Sequence, residues 1–273
     1  MLVGLDWGCH MKKLILGSLA LAAATLAAPA MAADMPVKAP PPAPVFSWTG
    51  CYVGIQGGYG WGRSRHTSDG FTNGVANTTA GADITSTFNV NGMVGGGEGG
   101  CNYQVGNWVW GIEVDGSTFA KDGQSNHLVP PFTNGNAWVS KTSERWDAMA
   151  RGRIGYAAWD KWMWYITGGA TWVGLDITTF LGPNPALTNI ERRNRIGWVV
   201  GFGTEYAVAY GWSVKWETLY TDYGTFRAFD SVSVNCGTSN NCTNRDVRLT
   251  EWISRFGLNY RFNWGKYPVV AKY

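Results

Sequence analysis

From Trp48 onward, large apolar residues alternate with small or polar ones at period two, the signature of strands whose two faces meet different surroundings. In Trp108-Val109-Trp110-Gly111-Ile112-Glu113-Val114-Asp115 the even positions are large and apolar, and both carboxylates fall on the odd face. Trp146, Ile154 and Tyr156 oppose Asp147, Arg151 and Arg153 in the same way. Ile196, Trp198, Val200, Phe202 and Tyr206 share a parity that excludes Arg195 and Glu205. Trp212, Val214, Trp216 and Tyr220 exclude Lys215 and Glu217, while Trp252, Phe256, Leu258, Tyr260 and Phe262 oppose Glu251, Arg255, Asn259 and Arg261. Three less regular stretches, Cys51 to Gly62, Asn91 to Tyr103 and Trp162 to Val173, bring the count to about eight strands, an even number as bacterial barrels require.

The connections alternate as well. Gln104 to Asn107, Ala157 to Lys161 and Ala207 to Gly211 are tight, whereas 63 to 87, 116 to 145, 175 to 194 and 224 to 248 are long and polar. Short turns on one side and long loops on the other predict an all-β fold, an eight-stranded antiparallel transmembrane β-barrel with periplasmic turns and extracellular loops. Both ends of the barrel chain then fall in the periplasm. Trp108, Trp110, Trp146, Trp198, Trp212, Trp216, Trp252, Phe256, Tyr260 and Phe262 are expected to face lipid. Glu113, Asp115, Asp147, Arg151, Arg153, Glu205, Lys215, Glu217 and Arg255 share the opposite parity and are expected to form a polar network in the lumen. Side chains just fill the interior of an eight-stranded barrel. These charges therefore predict a packed core, with a narrow solute path as the alternative.

A soluble sandwich or lipocalin also alternates, and parity alone does not say which face is inside. Composition and export decide. Sixteen Trp in 273 residues suit membrane-interface belts, where the indole has one apolar and one wet side. A mean hydropathy of −0.14 is too polar for a helical membrane protein, and no apolar run after residue 33 approaches the roughly 20 residues a spanning helix needs. Met11-Lys12-Lys13, the apolar run Leu14 to Ala28 and the site Ala30-Met31-Ala32 predict a cleaved signal peptide over residues 1–33, with 1–10 upstream of the true start. Residues 34–47, rich in proline, are expected to be a periplasmic linker, 48–262 the barrel and 263–273 a tail.

A net charge of +3 with 15% charged residues leaves no footprint for a nucleic-acid partner. Cys51, Cys101, Cys236 and Cys242 remain after loss of the leader, an even number in an oxidising compartment, and predict two disulfides, Cys51 with Cys101 at the periplasmic rim and Cys236 with Cys242 inside the last external connection. A metal site at Cys236 and Cys242 is the alternative, but neither His66 nor His127 is near in sequence. Those two are the mature chain's only histidines, both expected in loops, and no Gly-x-Ser-x-Gly element marks a nucleophile. No enzyme activity, metal or cofactor is expected. Gly95-Gly96-Gly97-Glu98-Gly99-Gly100 formally matches a dinucleotide fingerprint, but no βα unit surrounds it and a small-residue strand accounts for it.

Phe46-Ser47-Trp48-Thr49-Gly50-Cys51-Tyr52-Val53-Gly54 after a Pro/Ala linker, the segment Ile196 to Tyr206, and the end Arg255-Phe256-Gly257-Leu258-Asn259-Tyr260-Arg261-Phe262 resemble the small outer-membrane β-barrels of alphaproteobacteria. These are OmpA-like, opacity-type barrels commonly labelled porin family. The resemblance covers essentially the whole mature chain. It implies residence in the cell outer membrane, with outer-membrane lipid and the outer-membrane assembly machinery as partners. In many such barrels an aromatic residue ends the last strand and the chain together; here 263–273 follow, so the assembly signal falls to either Phe262 or Tyr273. The expected role is structural, in envelope integrity, or surface-interactive, with host or envelope ligands met by the loops; a passive small-solute pore is the rival.

Overall fold

The computed structural model describes residues 46–72, 75–76, 80–128, 138–159, 161–181, 184–209, 211–228 and 243–262. Nine strands follow in order: β1 Gly50–Thr72, β2 Val75–Ala76, β3 Phe88–Val105, β4 Trp108–Asn126, β5 Trp138–Trp159, β6 Trp162–Leu181, β7 Asn184–Ala209, β8 Trp212–Ala228 and β9 Thr243–Phe262. Antiparallel pairing runs β1-β3-β4-β5-β6-β7-β8-β9, and β1 pairs β9, so eight long strands close into a ring. The two-residue β2 only extends the first hairpin, pairing with Phe71 and Thr72. Closure leaves no unpaired edge in the apolar phase, where backbone groups have no water to bond.

The turns β3–β4, β5–β6 and β7–β8 lie at one end with the start of β1 and the finish of β9. Gly106, with φ +61°, takes the first central position of the two-residue β3–β4 turn, a backbone that turns of the primed types demand. At the opposite end the strands run well into the segments expected as loops: β1 reaches Thr72, β4 Asn126, β6 Leu181 and β8 Ala228. The reason is apolar burial. Val173, Leu175, Ile177, Tyr223, Phe226, Ala228, Val247 and Leu249 form a buried cluster inside this outer extension. Alternation fails as a guide there because two strands shift register. Inward residues of β5 are odd from Asp147 to Ala157 but even from Ser140 to Glu144, across an irregularity at Glu144/Trp146. Strand β8 switches likewise at Asp222/Thr225, where Gly224 has φ +67°.

All ten residues expected to face lipid point outward, and aromatic rings meet at two heights. Near the turns, Trp108 contacts Tyr156, Trp162 contacts Tyr206 and Trp212 contacts Tyr260, with ring centroids 5.1 to 5.5 Å apart. Toward the other end, Tyr220 bridges Trp198 and Trp252 at 5.5 and 5.0 Å. Trp252 to Phe262 covers about 33 Å of strand, and a tilt of about 40° turns that into roughly 25 Å, the height of an outer-membrane apolar band. Above the second girdle the outward positions become charged: Arg63, Asp122, Arg145, Asp176, Arg192, Asp222 and Arg248.

Candidate functional site

The lumen is stacked in layers. At the periplasmic mouth Trp48, only 2% exposed, packs with Val109, Ala157, Met163, Tyr165 and Ala207. Phe46, expected in the linker, instead joins this plug, its ring 5.1 Å from that of Trp48 and 4.4 Å from the Arg261 guanidinium. The Trp48 backbone N–H donates to Gln104 Oε1 at 2.7 Å, fixing where the chain enters.

Above the plug lies the charged layer, and alternation alone carries its side chains inward. Arg151 on β5 bonds Glu113, Asp115 at 2.8 Å and Glu217 at 3.2 Å. Arg255 on β9 donates to Glu217 at 2.6 Å and Asp115 at 2.9 Å, closing a ring across four strands, β4, β5, β8 and β9. Lys215 reaches Glu98, Glu113 at 3.2 Å and Glu217 at 3.4 Å. Arg153 donates to Glu205 at 3.1 Å and to Asn102 at 2.9 Å. Tyr52 donates to Glu113 at 2.5 Å, and Tyr165 to Glu217 at 3.0 Å. Gly100, opposite Tyr52, leaves the room the phenol needs, since a Cβ there would stand 2.6 Å from its oxygen.

Of the nine residues expected in the lumen, eight are thus joined in one set of ion pairs. Asp147 is buried at 2% exposure, but neither of its carboxylate oxygens has a hydrogen-bond partner among the described residues. Sequence reading missed Glu98, hidden in a glycine run with no large alternating partner, and Lys121 and Glu144, which fall in the stretch 116 to 145 expected as loop. Lys121 pairs Glu144 at 2.6 Å and also Glu251, all three buried. An apolar layer of Val94, Met149, Val199, Leu219 and Ile253 separates the two ionic layers. Glu98, Glu113 and Glu217 lie close enough to hold a metal ion, but the Lys215 ammonium already sits among them.

Both histidines depart from expectation. His66 is buried within β1, and His127 follows directly on β4. A serine–histidine pair does occur: His127 Nε2 lies 2.7 Å from Ser140 Oγ. Ser140 has no exposed surface, however, and Arg245 donates to its oxygen at 2.6 Å. Burial and the charge of Arg245 push His127 down to about 3, too weak a base to activate a hydroxyl near neutrality.

A cavity of 10 Å³, about the room of one water, lies at the mouth between Trp48, Tyr52, Glu205 and Arg261. A concavity of 690 Å³ lies on the outer wall, where Tyr103, Trp110, Ile112, Ile154, Ile166 and Val200 face lipid. Cys51 and Cys101, directly opposite on β1 and β3 near the periplasmic rim, form a disulfide. The expected pair Cys236 and Cys242 lies outside the described residues, as do the leader, most of the linker and the tail.

A ring of eight tilted strands, greasy outside between two aromatic girdles and ionic within, defines an outer-membrane β-barrel. The description "Outer membrane protein beta-barrel domain" matches residues 18–262, and the chain belongs to that family. It is 33% identical over 259 residues to a 31 kDa outer-membrane immunogenic protein of Brucella melitensis, covering 92% of this chain and all of that one. A 25 kDa outer-membrane immunogenic protein of Brucella abortus is 25% identical over 92% of this chain and 99% of its own. Among solved structures, the outer membrane protein OprG from Pseudomonas aeruginosa shares the fold, with a TM-score of 0.51 at 14% identity over 80% of this chain and 98% of that one. The protein accordingly resides in the outer membrane.

Proposed function

We propose that the protein is a closed outer-membrane barrel with a structural, envelope-integrity role or a surface-interaction role carried by its external segments, and not a pore. The observation that carries this reading is the filled lumen, in which buried ion pairs and apolar layers alternate from Trp48 to Leu249. Buried ion pairs of this kind are rigid because breaking one strands an uncompensated charge. Ordered strands extend beyond the membrane band and hold the external connections on a stiff stalk, the arrangement in which loops carry contacts. The naming of the Brucella relatives as immunogenic fits external segments that face out of the cell. The proposed leader, residues 1–33, is removed on export, and 34–47 are assigned to the periplasmic linker, whose end at Phe46 folds into the plug. Insertion is assigned to the outer-membrane assembly machinery. No catalytic role is proposed for the buried Ser140 and His127.

Single-channel recording of the refolded protein in a planar bilayer tests this, with heat-modifiable gel migration showing that the barrel has folded. No discrete conductance steps are expected. Steady steps from a folded barrel would transfer the function to small-solute permeation.

A further inference from the structure

We infer that the outer surface of the β1–β9 seam binds a phosphate group of an outer-leaflet glycolipid through Arg63, Arg65 and Arg248. Arg65 and Arg248 are direct cross-strand partners, and both side chains are exposed on the lipid side of the wall. Residues so placed have Cβ atoms about 5 Å apart, and like charges there repel. Arg63 projects from the same face two residues nearer the membrane, opposite Thr250. Three cationic side chains thus leave neighbouring positions on one face, Arg65 reaching toward Asp83 and Arg248 toward Asp222, and an anion lying over the seam at Arg63 would stabilise their shared charge.

The neighbouring acids offset this charge only in part. Arg65 is held by Asp83 at 2.7 Å, and Arg248 by Asp222 at 3.4 Å. Among the described residues no carboxylate pairs with Arg63, which leaves one surplus positive charge at the position nearest the membrane. Farther out the balance reverses, since Arg227 is set between Asp69 at 3.4 Å and Asp246 at 3.8 Å. An anion arriving from the medium meets those acids first, whereas one fixed at the membrane surface meets Arg63 and Arg248. Beneath Arg63, Trp61 and Trp252 face each other across the same seam, both about half exposed. Indole rings at that depth mark the headgroup level. Depth and charge gradient together select a lipid phosphate over a soluble anion. The other arginine-rich spot, Arg145 and Arg192, differs because both share Asp176 and no two arginines stand directly opposed.

This inference goes beyond the function proposed above and holds whether or not the lumen conducts. The folded full chain in detergent micelles is titrated with bisphosphorylated lipid A, with the same glycolipid after phosphatase treatment, and with bisphosphorylated lipid A under excess inorganic phosphate; native mass spectrometry counts the bound lipid. Arg63→Gln with Arg248→Gln is expected to weaken binding about tenfold or more, because two charge-assisted contacts are lost. Arg227→Gln is expected to leave it unchanged. The dephosphorylated glycolipid should bind the natural chain as weakly as the intact one binds the double variant, with no displacement by inorganic phosphate. All substituted side chains lie on the outer surface, and heat-modifiable migration reports their folding. Unchanged affinity in the double variant, an equal loss in Arg227→Gln, or displacement by inorganic phosphate would each overturn the assignment, the last in favour of a free-phosphate site.

Discussion

Arg151 and Asp147 show how differently two charges on the same strand face contribute. Arg151 holds three carboxylates, so removing it leaves Glu113, Asp115 and Glu217 buried with less compensation. Arg151→Met is expected to lower stability by about 3–5 kcal/mol, read as a drop in the urea midpoint of tryptophan fluorescence in lipid vesicles. Asp147 has no hydrogen-bond partner among the described residues, so Asp147→Asn removes a buried charge at little loss of contacts. That variant should be as stable as the natural chain or more so. A clear loss would mean that Asp147 is paired in solution.

At the scale of the strand, the constraint is which face meets hydrocarbon. Ile112 on β4 is 70% exposed between the two girdles. Ile112→Arg should cost about 2–4 kcal/mol, against about 0–1 for Thr250→Arg at the charged external rim. The comparison is made by equilibrium unfolding in vesicles, and equal costs would misplace the apolar band. The same alternation made the membrane-spanning halves of the strands legible in the sequence. It lost the external halves because the shifts at Glu144/Trp146 and Asp222/Thr225 reverse parity. A residue such as Glu144, on the parity opposite to Asp147 and Arg151, then carries no local sign that it points inward.

For the whole molecule, the decisive act is joining β1 to partners distant in sequence. The Cys51–Cys101 disulfide ties residues 50 apart, on the strand that also closes the ring against β9. Cys51→Ser with Cys101→Ser should reduce stability by about 2–4 kcal/mol without abolishing the heat-modifiable barrel. An unchanged unfolding midpoint would show that strand pairing alone holds this corner.

Strand number, the outward-pointing aromatic residues and the nine charges expected to point inward were determined by the sequence itself, because a period of two forces each side chain to one of two surfaces and hydrocarbon accepts only one kind. The tertiary structure alone decided which of those inward charges meet. Glu98 and Lys215 are 117 residues apart, as Asp115 and Arg255 are 140 apart, and only the stagger of a closed ring brings them to the same height. It alone also placed Arg65 beside Arg248, since the seam joins the first strand of the chain to the last. Register across such a seam depends on the summed shifts of every strand between, which no local pattern records.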